Sequence, residues 1–205
     1  KVLDRKGNGY SSDVLAGISW VLERKEQLGI RILNISVGAC SKRGMSENSA
    51  LVKGVNRAWD AGLVVVVAAG NNGPRTMSIT TPGISRKVIT VGCSDDDREV
   101  LVGGNRMVDY SGRGPTAACI CKPDLVAPGC SVVSCSSRAD KYTIKSGTSM
   151  STPIVSGAVA LLLERFPDMS NKDVKLRLRE SSVDIGLPRN QQGWGLLDVG
   201  KMLER

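Results

Sequence analysis

Ser149 stands in the run Gly147-Thr148-Ser149-Met150-Ser151-Thr152-Pro153, directly ahead of an apolar stretch. A glycine turn that feeds a helix places unpaired backbone N–H groups and the positive end of the helix dipole at one point. A serine hydroxyl there can attack a carbonyl, and the oxyanion that forms meets ready donors. The same residue also reads as an ordinary helix N-cap, the common role of Ser before a helix. A second segment, Ala68-Ala69-Gly70-Asn71-Asn72-Gly73-Pro74, follows an unbroken apolar run. In open α/β sheets, ligands bind beyond the carboxyl ends of the strands. Asn71 falls at such an end, with an amide able to donate to a developing negative charge. Its plainer reading is a turn residue that satisfies local backbone.

The elements that would carry these groups alternate between strand and helix. Val14, Leu15, Ile18, Val21 and Leu22 recur at helical spacing, with Ser11, Ser12 or Asp13 as the cap and Gly29 as the stop. Residues 30–37 read as a strand, Leu51, Val52, Val55, Ala58 and Trp59 mark a helix, and residues 63–69 read as a strand buried on both faces. Further strands are expected at 1–4, 87–91 and 131–134, with a hairpin over 101–108 turning at Gly103-Gly104-Asn105. Residues 153–166 are apolar nearly all round, which suits a core helix. Pro153 then belongs in its first turn, so the helix must begin close to Ser149. Ser170 and Asp173 form a capping box for a helix to about 180, and a last short helix covers 196–203. The fold class is α/β: a mostly parallel sheet with helices on both faces and right-handed crossovers.

Composition narrows the function. Hydrophobic residues make up 41% of the 205, but aromatics only 3%, so aliphatic side chains must fill the core. The net charge of +8 comes from scattered residues such as Arg5, Lys6, Arg24, Lys25, Lys42, Arg43, Arg177 and Arg179. Without a clustered basic stripe or aromatic platforms, no nucleic-acid partner is expected. No apolar run is long enough to span a membrane, and no membrane partner is expected. The six cysteines, Cys40, Cys93, Cys119, Cys121, Cys130 and Cys135, form no CxxC pair, and they read as mostly free thiols. Asp95-Asp96-Asp97 reads as a solvated loop, since three adjacent carboxylates cannot readily face one ion.

Taken together, the segments resemble the subtilisin-like serine proteases. The Gly147–Pro153 run is similar to that family's nucleophile signature, and Ala69-Gly70-Asn71 to its oxyanion-hole segment. Asn34-Ile35-Ser36-Val37-Gly38 resembles its cleft-lining strand. Ser111-Gly112-Arg113-Gly114-Pro115 and the run from Lys122 to Gly129 resemble two further segments, in the family's order. The likeness runs from Lys1-Val2-Leu3-Asp4 to Gly193-Trp194-Gly195. It implies a subtilisin-like three-layer domain, with residues 1–205 as one C-terminal part of it.

The resemblance also implies roles. Ser149 would form an acyl-enzyme, and the Asn71 amide with the Ser149 N–H would hold the oxyanion. Ser36, Val37 and Gly38, with Ala68, Ala69 and Gly70, would wall the pocket for the residue before the scissile bond. Asn8-Gly9-Tyr10 would pair with an extended peptide or protein substrate by strand addition. Walls of Ala, Val and Gly suit large apolar side chains. No cofactor is implied; calcium, common in the family, cannot be assigned to residues of this chain.

One departure is large. The family's triad runs Asp, His, Ser, and this chain contains no His. The resemblance places the Asp and His motifs ahead of Lys1, so the missing N-terminal segment becomes an expected partner. A subtilisin stripped of its His loses roughly a millionfold in turnover, so the chain is expected to be inactive alone. Lys141 and Lys145 are near Ser149 in sequence, and Ser–Lys pairs exist, but nothing in the sequence buries either. An unpaired sheet edge and uncovered apolar faces are expected to drive self-association. The alternatives are a non-catalytic peptide-binding descendant and, further off, a basic structural or nucleic-acid module.

Overall fold

The computed structural model describes residues 1–4, 7–38, 47–136 and 141–204. Cys40 and the basic residues Arg5, Lys6, Lys42 and Arg43 lie outside the described residues. The apolar run after Gly62 forms a strand with every residue buried. In chain order the strands of the main sheet are β1 (Ile32–Ile35), β2 (Val64–Ala68), β3 (Ile89–Cys93) and, further on, β6 (Leu125–Ala127). They pair in the order β1-β2-β3-β6, all parallel, with Ile32 opposite Val64, Val66 opposite Ile89 and Val91 opposite Leu125. β2, β3 and β6 are buried throughout, as continuous Val/Ile-rich parallel strands must be when both faces are covered.

The helices that cover the sheet begin with α1 (Ser11–Leu28) and α2 (Ala50–Asp60). α1 ends at Gly29, whose φ of 62° is open to glycine without strain. Its N-cap is Tyr10, not one of the serines expected to cap it: the Asp13 carboxylate accepts the Tyr10 N–H at 3.1 Å. α2 packs on β2 and carries α1. α3 (Thr148–Arg165) crosses all four strands, which explains why it is apolar nearly all round. α4 (Asn171–Ser181) opens with the reciprocal Ser170–Asp173 box. Two short helices follow, α5 (Arg189–Gln192) and α6 (Val199–Met202). The result is a three-layer α/β architecture.

Several expectations need correction. Lys1–Asp4 is not a strand. Asp4 takes part in a local turn instead, its N–H on the Asn8 carbonyl and its carboxylate on the Asn8 N–H. Pro153 is the sixth residue of α3, one turn later than expected, so it withholds a hydrogen bond from the carbonyl of Ser149 four residues back. The hairpin β4 (Val100–Val102) to β5 (Asn105–Met107) turns on two residues, Gly103 and Gly104, both at positive φ, and Asn105 already belongs to β5. A second hairpin, β7 (Val132–Cys135) with β8 (Tyr142–Lys145), gives Val133 and Ile144 as an exposed cross-strand pair. Leu196 is not helical; it bridges Val126 and Val183.

The two margins of the sheet differ. Beside β6, the Val126 N–H meets the Gly195 carbonyl and the Leu197 N–H meets the Val126 carbonyl, so residues 195–197 cover that edge. Among the described residues, β1 has no strand on its outer side.

The acidic run is also not a solvated loop. Only Asp97 is exposed. Asp96 is buried and accepts the Ser111 N–H at 2.7 Å, and burial pushes its carboxyl above the usual range. Asp95 is half-buried and caps the two amides of Gly129 and Cys130.

A buried ionic cluster joins the starts of β3 and β6 to α4. Lys122, 1% exposed, donates to the Val88 carbonyl and to Asp124. Asp124 also accepts the Thr90 N–H, and Lys175 from α4 approaches it at 3.5 Å. The cost of burying the ammonium outweighs the pull of Asp124, and the pKa of Lys122 falls from 10.5 to about 8. The unfolded lysine keeps its proton up to 10.5, so between those pH values the unfolded chain binds more protons than the folded one. The contribution of this residue to stability therefore rises with pH across that window. Urea unfolding of the wild type and of Lys122→Met should show a stability difference that moves in favour of the wild type from pH 8 to 10.5. A flat or opposite trend would rule out the depressed pKa.

Candidate active site

β1 and β2 lie side by side and run the same way, so the segments that follow them emerge together at the carboxyl edge of the sheet. Ser36-Val37-Gly38 leaves β1 there, and Ala69-Gly70-Asn71 leaves β2. α3 starts at the same edge. Asn71 Oδ1 accepts two hydrogen bonds from Thr148, one from its N–H and one from its hydroxyl, each at 3.0 Å. The Thr148 hydroxyl in turn accepts the Gly70 N–H at 3.1 Å. These bonds clamp together two segments 77 residues apart. With its carbonyl end committed, Asn71 has its Nδ2 as the free donor. A side chain at Gly147, φ 136°, would stand 3.2 Å from that nitrogen.

Ser149 is the second residue of α3. Its N–H is among the first-turn donors that a helix cannot satisfy internally. Its hydroxyl donates to the Ser36 carbonyl at 2.7 Å. The nucleophile candidate, the Asn71 amide and the segment after β1 therefore share one small region.

A cleft of about 670 Å³ opens beside them, with Gly9, Val37, Gly38 and Asn71 in its wall together with Leu3 and Val14. Of the residues proposed from the sequence as pocket walls, Ala68 and Ala69 are buried and stay out of this lining. Ala68 still belongs to β2, while the Ala69 carbonyl accepts the N–H and hydroxyl of Thr80. Ser36 and Gly70 adjoin the cleft through their backbone, one on Ser149 and the other on Thr148.

Thr80 was missed in the sequence. A Cβ on Gly70, whose φ is 91°, would fall 2.4 Å from its methyl, and one on Gly38 would fall 2.7 Å from its hydroxyl. Thr80 therefore sits between the two emerging segments and fixes their separation. Nothing in Ser78-Ile79-Thr80-Thr81-Pro82 flags this, because a polar run between strands reads as loop. Gly9 has a similar constraint: the Val2 carbonyl lies 2.3 Å from where its Cβ would be.

Among the described residues, no general base is bonded to the Ser149 hydroxyl. The chain has no His, and Lys141 and Lys145 are both exposed. Among the described residues, no group of three or more His, Cys, Asp or Glu is arranged to hold a metal ion. The five described cysteines are free thiols.

The clamp gives a prediction. Thr148→Val deletes a donor to Asn71 and leaves the Gly70 N–H without its acceptor, at a cost of about 1–3 kcal/mol. Urea denaturation should show that loss for Thr148→Val and much less for Thr148→Ser. Equal stability of the two variants would mean that the hydroxyl holds nothing.

Comparison with known proteins bears on the family and the fold. The model of the subtilase family matches residues 1–195. Serine protease AprX of Bacillus subtilis (strain 168) is 38% identical over 199 residues, covering 89% of this chain and 45% of the relative. Subtilisin DY of Bacillus licheniformis is 34% identical over 201 residues, covering 97% of this chain and 65% of the relative. The chain thus spans about half to two thirds of the length of these curated relatives. Among solved structures, sphericase superposes with a TM-score of 0.79 at 31% identity, covering 97% of this chain and 67% of its own. On the family match and the shared fold, this chain belongs to the subtilase family.

Proposed function

We propose that the chain is the nucleophile-bearing part of a subtilisin-type serine endopeptidase. The observation that carries this reading is the Asn71–Thr148 clamp, which holds a side-chain amide beside the helix start that presents Ser149. Ser149 Oγ attacks the scissile carbonyl, and the Asn71 Nδ2 and the Ser149 N–H take up the charge on its oxygen. An acid–base group supplied from outside this sequence carries the Ser149 proton to the departing amine, an acyl-enzyme remains on Ser149, and water attacks it to release the acid. The substrate is an extended peptide or protein segment. Its backbone runs between Ser36-Val37-Gly38 and Asn8-Gly9-Tyr10, and the part of the cleft walled by Leu3, Val14 and Val37 receives a large apolar side chain.

The Ser149 hydroxyl donates a hydrogen bond to the Ser36 carbonyl, which cannot act as a general base. With no His in 205 residues, the acid–base partners must come from outside this sequence. Alone, the chain is incompetent. The same absence favours a second reading, in which a non-catalytic relative keeps the cleft to bind peptides. Neither reading assigns calcium to a cluster among the described residues.

A fluorophosphonate probe separates the two readings. Added with a segment bearing subtilase Asp and His motifs, the chain should be labelled at Ser149, and without that segment it should stay unlabelled. A folded complex that resists labelling would favour the binding module. In the labelled complex, Asn71→Ala should cut peptide turnover by roughly a hundred- to a thousandfold, the loss known for a subtilisin deprived of its oxyanion-hole amide. The open edge of β1 offers unpaired N–H and C=O groups, so the isolated chain should also associate with itself. Sedimentation of a single monomeric species across the micromolar range would contradict that.

A further inference from the structure

We propose that Asp95 is a positioning residue for Ser149, acting through Gly129 and Gly147. This rests on the reading of Ser149 as the nucleophile. Asp95 lies just beyond β3, away from the cleft lining. Its Oδ1 accepts the N–H groups of two successive residues, Gly129 at 2.8 Å and Cys130 at 3.1 Å. A carboxylate that grips two amides makes charge-assisted bonds, about twice as strong as neutral ones. The Gly129 carbonyl then accepts the Gly147 N–H at 2.9 Å. Gly147 is the N-cap of α3, and Ser149 follows two residues later. One carboxylate is thus joined to the nucleophile turn through a single intervening residue.

The surroundings make this linkage stiff. The Tyr110 hydroxyl also donates to the Gly129 carbonyl, at 3.2 Å, and Tyr110 is fully buried. The Cys93 thiol touches both Tyr110 Oη, at 3.2 Å, and Asp95 Oδ1, at 3.1 Å. Burial pushes the thiol up to about 12 and the phenol further above its ordinary value, so both keep their protons. A Cβ on Gly129 would fall 2.3 Å from Ser151 Oγ, 2.8 Å from Cys93 Sγ and 3.0 Å from the Gly147 carbonyl. Residue 129 is therefore wedged between β3 and the first turn of α3. It cannot move without moving that turn, on which both the Ser149 N–H and the Thr148 grip on Asn71 depend.

The test pairs two readouts on Asp95→Ala, Asp95→Asn and Tyr110→Phe. Hydrogen exchange on the chain itself should show the Gly147 amide exchanging about tenfold faster in Asp95→Ala, with β2 and β3 amides unchanged. Asp95→Asn, which keeps an acceptor oxygen, should restore most of the protection. In the complex with a segment supplying Asp and His, Asp95→Ala should lower kcat about tenfold and leave KM within about twofold. Should Asp95→Ala not fold, Tyr110→Phe keeps the core ring and should give the same pattern in smaller measure. Unchanged Gly147 exchange in every folded variant would overturn the proposal, as would a rise in KM at constant kcat. If the wild-type complex cleaves no peptide, the protease reading fails, and the exchange data alone still decide whether Asp95 positions the turn.

Discussion

The first turn of α3 carries N–H groups that no carbonyl within the helix can reach, and the architecture of this end of the molecule follows from how they are met. Thr148 spends its N–H on Asn71, and Gly147 spends its own on Gly129. Both bonds tie the helix start to segments that leave the carboxyl ends of parallel strands. Ser149, between them and the helix body, has an N–H that no carbonyl within the helix can reach. An anion-seeking donor thus survives at a point where its neighbours have all been committed. The sheet beneath must be parallel for this, because only parallel neighbours deliver the ends of β1 and β2 to the same edge.

Close backbone approach is the second requirement, and it accounts for the glycines around the site. At Gly70 and Gly38 the competing neighbour is Thr80, and at Gly129 it is Ser151 and Cys93. Each pair of chain segments is nearer than a Cβ allows. The site is consequently made more of peptide groups than of side chains. Peptide dipoles held this way cost nothing to reorient when charge develops, which is what electrostatic preorganisation requires.

How far the sequence revealed this depended on whether the signal was local. The buried run of β2, the stop at Gly29, the Ser170–Asp173 box and the Gly103-Gly104 turn each act within a few residues, and each was legible. β6 was not read as a strand. It is three residues between prolines, and only its partners at Val91 and Gly195 make it one. Asp95 and Asp96 look solvated because adjacent carboxylates repel. The amides that hold them come from Ser111, Gly129 and Cys130, which no window around position 95 contains. Ala68 and Ala69 lie outside the lining of the cleft beside Asn71. Small residues read as pocket wall; Ala68 is the buried last residue of β2, and the Ala69 carbonyl is taken by Thr80. That Asn71 and the turn carrying Ser149 lie at the ends of elements with unpaired donors was legible for a different reason. Glycine turns at the end of a strand and at the start of a helix mark where backbone donors go unpaired, wherever the two lie in the chain.

A division of labour follows. Charge stabilisation needs fixed donors, and a continuous β-α framework can supply them from its own backbone. Proton transfer needs a titratable side chain at hydrogen-bonding distance, and among the described residues none is bonded to the Ser149 hydroxyl. The contact that marks the boundary between the two is the hydroxyl of Ser149 on the carbonyl of Ser36. Ser36 follows β1, whose outer edge is open among the described residues. A strand added there would bear on the very segment that holds the hydroxyl in its resting position. The open outer edge of β1 among the described residues and the resting contact of Ser149 therefore meet in one short segment, so whatever pairs with that edge acts on the carbonyl that holds the hydroxyl.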